Sequence, residues 1–250
     1  MINLQEMAAI AVRAAKEAGK FLLESSSQKQ EVLLNKGRDI KLKIDQDAED
    51  IIKDILSNES DHPILAEESA DSEHIAETYW VVDPLDGTSN FYRGIPICCV
   101  SIGLVHDEDP VLGTIFDFLN DDLYLGYEGS TAIKNDETIN VSNINSSQFG
   151  TLVTGIPAKT HYTDKEFQNM INDFQLWKKV RMIGSAAMAS TYVASGKAEC
   201  YKELGIYIWD VAAGAAIVRA AGGSIILDKL GDHKVNAIFS NGFIPSNEHK

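Results

Sequence analysis

The chain has 250 residues, 44% of them apolar, which is enough to bury a sizeable core as one large or two small domains. Its 37 acidic against 22 basic side chains give a formal charge of −15, and the absence of any cluster of Lys and Arg argues against a nucleic-acid partner. Acidity does not exclude an anionic substrate, because a divalent cation held by carboxylates reverses the local sign.

The opening MINLQEMAAIAVRAAKEAGKFLL sets Glu6, Arg13, Lys16 and Glu17 at helical spacing, which reads as an amphipathic first helix rather than a targeting segment. No run approaches the ~20 apolar residues that a membrane span needs, so a cytoplasmic protein without a membrane partner is expected. SSSQKQ and the charged NKGRDIKLK predict a mobile loop or hairpin. DQDAEDIIKDIL predicts a second helix from near Gln46, with Asp45 as its cap. HPILAEES and TYWVVDP predict short strands, the first ending in acids. From Pro96 to about Val141, the runs ICCVSIGLV, VLGTIFDFL, DLYLGY and STAIKNDETINVS, the last turning at Asn135-Asp136, predict a meandering antiparallel sheet. Beyond residue 150 strands and helices alternate: TLVTGI, a helix near 163–175, KKVRMIG, a helix from Ser185, AECYKEL, a helix opening at Trp209-Asp210, and the strand GSIILD. No low-complexity linker or repeat intervenes, so the chain reads as one compact α/β unit with two sheets and a cleft between its halves. Cys98, Cys99 and Cys200 lack metal-ligand spacing and read as reduced core residues.

The stretch WVVDPLDGTSNF, residues 80–91, runs an apolar strand into two aspartates. Pro84 fixes its own φ and disfavours helix at Asp83, so the strand is expected to stop and turn there. Asp83 and Asp86 then share one bend with the Leu85 carbonyl, a hard all-oxygen set suited to Mg²⁺ or Mn²⁺. Gly87 and Thr88 stand at a helix start, where backbone N–H groups bind an anion. DPLDG is also the composition of an ordinary surface turn. Further acids, at Asp45, Asp47, Glu67, Glu68 and Asp210, weigh toward a site, although Asp210 reads equally well as a helix N-cap.

The segments AEES, WVVDPLDGTSNF, GSAA and LGIYIWDVAAG, in that order, resemble the signatures of the inositol monophosphatase family, within the lithium-sensitive, magnesium-dependent phosphatases related to fructose-1,6-bisphosphatase. The resemblance covers the chain from the first helix to IFSNG. It implies a layered αβαβα sandwich with two sheets, in which residues 1–145 form a metal-binding half and residues 146–250 a substrate-binding α/β half. It implies that Glu67, Asp83 and the Leu85 carbonyl bind a first Mg²⁺, and that Asp83, Asp86 and Asp210 bind a second. Asp45 and Glu67 would hold waters around a weaker third ion, with Mn²⁺ a substitute and Li⁺ an inhibitor. Asp45, Glu67 and Thr88 are the catalytic expectation, Asp45 pairing with Thr88 to orient the attacking water. Gly87 and Thr88 would hold the phosphate, and Ser185, Ala186 and Glu203, with Asp86 and Asp210, the alcohol part of the substrate. A homodimer is also implied.

The chemistry agrees with these roles. Phosphate monoesters hydrolyse very slowly without catalysis, and two cations can neutralise the dianion, activate water and stabilise the leaving alkoxide. No Cys or His has a nucleophile signature. His62, His74, His106, His161, His233 and His249 lie outside the motifs and read as surface or packing residues, which favours metal-activated water over a covalent phosphoenzyme.

The chain departs from its relatives in having DIKLKID where a Val-Thr pair is common and Ala66 where Gly is common, so the loop near Lys36 is expected to differ in its part around the third ion. Tyr207 reads as a hydroxyl near the substrate or as packing beside Trp209. Glu203 favours a polyol, since a carboxylate accepts hydrogen bonds from vicinal hydroxyls. Arg181 and Lys202 are the candidates for a second phosphate, with surface roles as their alternative. The expected substrate is myo-inositol monophosphate or a similar sugar or polyol phosphate. The alternatives are a 3′(2′),5′-bisphosphate nucleotide, histidinol phosphate and fructose 1,6-bisphosphate, or a regulatory binding role in a transcription complex.

Overall fold

The computed structural model describes residues 2–69 and 76–244. Helix α1, Leu4–Ser25, starts where the Asn3 side chain accepts the Glu6 N–H, and it buries an alanine-rich face including Ala11, Ala14, Ala15 and Ala18. The charged stretch that follows forms a hairpin, β1 Val32–Lys36 and β2 Asp39–Leu42, turning at Gly37 with φ 64°. Helix α2 spans Lys43–Glu59 and so begins before Gln46. Asp45 lies inside its first turn rather than ahead of it, because the carboxylate reaches back to accept the Leu42 N–H at 2.8 Å.

Strands β3 Ile64–Ala66 and β4 Thr78–Asp86 pair in parallel, and β5 Cys99–His106, β6 Asp109–Asp117, β7 Asp122–Tyr127, β8 Ile133–Lys134 and β9 Glu137–Thr138 continue the sheet as an antiparallel meander in that order. The short helix α3, Thr88–Arg93, joins β4 to β5. Pro84 does not end β4, as its restricted φ leads one to expect. The strand runs on to Asp86 across a register shift between Asp83 and Asp86, and a bulge tolerates a residue with no N–H to give.

The second sheet is ordered β11-β10-β12-β14-β13, from β10 Thr151–Thr154, β11 Lys179–Met182, β12 Cys200–Tyr207, β13 Ser224–Gly231 and β14 Lys234–Ser240. Strand β14 is not among the sequence expectations. Its alternation, with Val235, Ala237 and Phe239 buried between Lys234, Asn236 and Ile238, is a local signal that those expectations passed over, and it pairs with both β12 and β13. Helix α4 spans Asp164–Phe174, α5 Ala186–Ala194 and α6 Ile208–Ala220. Apolar side chains divide by face. Those of α1 and α2 pack with Val82, Ile102 and Leu112 on one side of the first sheet, and those of α5 and α6 pack with Ile115, Tyr124, Val153 and Phe239 between the two sheets. Leu152 and Cys200 turn toward the α4 side. The result is the αβαβα sandwich. Among the described residues no helix is long and apolar enough to cross a membrane.

Helix α6 meets the first sheet along three glycines in register, Gly103 opposite Gly113 and Gly113 opposite Gly126. A Cβ on Gly113 would stand 2.0 Å from the Ala213 carbonyl oxygen, so only glycine admits the helix backbone at this depth. Gly113→Ala is therefore expected to destabilise the protein by about 3 kcal/mol, at the upper end of overpacking costs, read as a lower urea midpoint. An unchanged midpoint would refute this account of how α6 is seated.

Candidate functional site

Three elements deliver carboxylates to one point. Glu67 follows β3, its N–H bonded to the Val82 carbonyl at 3.1 Å, which extends the parallel pairing by one residue. Asp83 lies on β4, where its Oδ1 accepts the Leu85 N–H at 3.0 Å. Asp210 sits in the first turn of α6 and accepts the Tyr207 N–H at 3.2 Å. It thus caps the helix from within rather than from the N-cap position. Oxygens of Glu67, Asp83 and Asp210 lie within 4.8 Å of one another. This trio takes members from both ligand sets expected from the sequence.

Asp86 is held separately. Its Oδ2 accepts from the Ser185 hydroxyl at 2.6 Å and the Ala187 N–H at 2.7 Å, at the start of α5. Gly87 takes φ 91°, and a Cβ there would stand 2.8 Å from the Ile97 carbonyl oxygen. Thr88 donates its hydroxyl to the Leu85 carbonyl at 3.0 Å. The expected Asp45–Thr88 pair is not formed. Asp45 spends Oδ2 on Leu42, its Oδ1 is buried without a hydrogen-bond partner, and it does not line the cavity.

The cavity, about 310 Å³, opens between the halves and is lined by Glu67, Asp83, Asp86, Glu203 and Asp210, with Leu85, Gly87, Thr88, Ser185 and Ala186. Glu203 is 8% exposed and accepts from the Tyr201 hydroxyl at 3.0 Å. The basic residues that line it are Arg38 and Lys159, not Arg181 and Lys202. Arg181 is exposed, its guanidinium bonded to the Val180 carbonyl, and Lys202 pairs with Asp173 at 3.0 Å on the other face of the sheet. Neither Arg38 nor Lys159 stands in a motif, which is why sequence reasoning missed them. Asn90 was missed too, and its amide donates at 2.8 Å to both the Ile97 and Ile183 carbonyls, joining the aspartate segment to the start of α5. Tyr207 is stacked on Trp209 at 4.4 Å and also lines the cavity, so its packing does not take it away from the site. All three cysteines are buried and form no disulfide. No described histidine lines the cavity; His106 stands at the surface with Glu77 and Asp107. His74 and His249 lie outside the described residues.

Burial dominates the charge state. It pushes the Asp83 and Asp210 carboxyls well above their usual range, and for Asp83 the Glu67 charge adds to this. Burial, with repulsion from Glu68, raises Glu67 to about 7. Glu203 is raised by burial to about 7 and Asp45 to about 8. Asp86 reaches only about 6, since the donors at α5 offset part of its burial. A clustered set of buried carboxylate oxygens, short of positive charge, fits a hard divalent cation. These groups would release their protons near pH 4 when unfolded, so without a cation the folded chain binds more protons. The contribution of these groups to stability is then fully present below pH about 4 and is lost as pH rises through about 6 to 8. Chelator-treated protein should lose Tm from pH 5 to 8, and Mg²⁺ should raise Tm more at pH 8 than at pH 5; equal increments would contradict the arrangement.

Comparison with known proteins agrees with this geometry. The pattern of the inositol monophosphatase family matches residues 3–240. The chain is 36% identical over 228 residues to an inositol-1-monophosphatase of Synechocystis, covering 89% of this chain and 79% of that one. It is 35% identical over 235 residues to the Nus factor SuhB of Pasteurella multocida, covering 92% and 88%. The structure of an inositol monophosphatase from Anabaena superposes with a TM-score of 0.85 at 32% identity, over 97% of this chain and 93% of that one. With its cluster of buried carboxylates beside a phosphate-sized cradle, this chain belongs to the inositol monophosphatase family of metal-dependent phosphatases and is a phosphoric monoester hydrolase.

Proposed function

We propose that the cavity hydrolyses the monophosphate ester of a small polyol, myo-inositol monophosphate or a similar sugar phosphate, with Mg²⁺. The convergence of Glu67, Asp83 and Asp210 oxygens within 4.8 Å, beside Gly87 and Thr88, carries this reading. Glu67, Asp83 and the Leu85 carbonyl would hold one cation, and Asp83, Asp86 and Asp210 a second; Mn²⁺ has the same preference for oxygen. Bound there, the cations would neutralise the phosphate dianion and lower the pKa of the attacking water.

The chain's own groups do the rest. Backbone N–H groups at Gly87 and Thr88 orient the phosphate at the start of α3. Glu67, in the cavity wall, accepts a proton from water and holds it in line; Asp45, the other acid expected to act on the water, lies behind that wall and would need to turn its unpartnered Oδ1 toward it. Ser185, Ala186 and Glu203 face the alcohol part, with Asp86 and Asp210 at its edge. Residues 1–145 thus supply the ligands other than Asp210, and residues 146–250 most of the substrate wall. A cavity of about 310 Å³, at the low end for small-molecule sites, favours a monophosphate of one small ring over a nucleotide bisphosphate or fructose 1,6-bisphosphate.

Phosphate release measured across these substrates tests the reading. Inositol monophosphate should give the highest kcat/KM, millimolar Li⁺ should inhibit, and Asp83→Asn should lose about a thousandfold, the equivalent of several kcal/mol. Undiminished activity in Asp83→Asn would sink the mechanism. In the same assay Glu203→Ala should raise KM for the polyol ester while leaving p-nitrophenyl phosphate, which has no hydroxyls to bind, nearly unchanged; equal losses on both would remove Glu203 from the substrate wall.

A second reading rests on the 35% identity to a protein named Nus factor SuhB: the chain also binds a protein of a transcription complex. Purified polymerase assemblies that fail to retain it would dismiss this. We further infer a homodimer, which a monomer mass in sedimentation would refute.

A further inference from the structure

The five-stranded sheet borders a second cavity, on the face turned away from α5 and α6. It measures about 560 Å³, well within the range of sites that enclose a small molecule. Leu152, Lys202 and Leu204 of the sheet form its floor, and Met170 and Phe174 of α4 its roof. Helix α4 is amphipathic and closed by a Thr163–Glu166 capping box, yet none of its residues is buried. A helix with an apolar face ordinarily presses that face onto the sheet beneath it; this one packs Phe174 against the Leu152 and Cys200 cluster at its C-terminal end, while Glu166, Asn169 and Met170 border the cavity.

The polar part of the wall is acidic. Asp173 accepts the Lys202 ammonium through Oδ2 at 3.0 Å, while its Oδ1 is buried with no donor. Such an oxygen costs on the order of 1–3 kcal/mol until a donor reaches it. Glu166 and Glu203 also line the cavity, so carboxylates outnumber the one lysine there.

Two connections lead from here to the acidic cavity. Thr154, Gly155 and Glu203 belong to both walls. Gly155 is bare because a Cβ would stand 2.7 Å from Glu203 Oε1. The segment 155–163 also spans both: Lys159 lines the acidic cavity, Thr160 donates to the Gly205 carbonyl at 2.7 Å, and Tyr162, in the second wall, donates to the Leu204 carbonyl at 2.8 Å.

We propose that the cavity beneath α4 is a second small-molecule site, for a protonated amine on an apolar body, and that its occupant alters substrate binding through Glu203 and the 155–163 segment. The ammonium donates to Asp173 Oδ1, and the body lies between Met170 and Phe174 above and Leu152 and Leu204 below. Coupling of this kind is reciprocal, so substrate changes amine affinity by the same factor.

Calorimetric titration of the full chain with 4-phenylbutylamine and 4-phenylbutyrate, near-isosteres of opposite charge, tests it in Mg²⁺ with saturating inorganic phosphate. One amine per chain should bind, at least about tenfold tighter than the carboxylate, a difference of about 1.4 kcal/mol. Met170→Trp, which fills the cavity, and Asp173→Asn, which removes the charge without changing shape, should each weaken the amine about tenfold while the wild-type Tm is kept. Absence of binding at millimolar amine, equal affinity for the two isosteres, displacement by phosphate, or undiminished binding in both variants would overturn the site. Binding with an unchanged KM for inositol monophosphate would overturn the coupling. Because the titration needs no turnover, a chain inactive on polyol phosphates would refute the substrate assignment and leave this site standing.

Discussion

The charge cluster depends on how deeply one helix is seated. Asp210 rides on the first turn of α6, and α6 reaches the sheet that carries Asp83 only because Gly103, Gly113 and Gly126 leave no side chains in its path. On its other side Gly214 faces Ser190 of α5, where a Cβ would come within 2.4 Å of the serine side chain. The helix is therefore gripped closely on two faces. That grip works against electrostatics, since two like charges about 4 Å apart repel by about 4 kcal/mol at an effective dielectric of about 20. Packing imposes the proximity, and the carboxyls respond by holding protons until a cation replaces them.

Around this floor the few positive groups are placed at the rim. Lys159 lines the cavity and faces the Tyr207 ring at 5.5 Å, and Lys234 approaches the same ring at 5.3 Å while donating to the Lys159 carbonyl. Arg38, at the hairpin tip, donates to the Thr160 carbonyl. Each cation thus ties down the segment that leads from β10 to α4, and two of them, Arg38 and Lys159, also line the acidic cleft. An anion entering that cleft meets positive charge before it meets the carboxylates.

Much of this was legible in the sequence, because periodicity and turn chemistry are local. The first helix, the meander with its Asn135-Asp136 turn and the strand–helix alternation after residue 150 are all present as expected. Long-range demands explain the differences. Pro84 signals an end to β4, but pairing with β5 carries the strand through a bulge to Asp86. Asp45 looks like a cap standing ahead of its helix, but the backbone it satisfies belongs to Leu42, one turn back. Strand β14 carries a period-two signal in Val235, Ala237 and Phe239 that went unread, and its place between β12 and β13 is set by long-range pairing. Most acids of the cavity fall in recognisable motifs, whereas Arg38 and Lys159 reach the site from segments without one, and Asn90, though inside WVVDPLDGTSNF, acts on carbonyls that only the fold brings near.

The Asn90 amide spans the Ile97 and Ile183 carbonyls and so rivets the α3 end of the cleft to the end where α5 begins. The two ends cannot drift apart without breaking both bonds. The cleft is in this respect a fixed gauge rather than a jaw, its span set by backbone carbonyls before any lining side chain takes part.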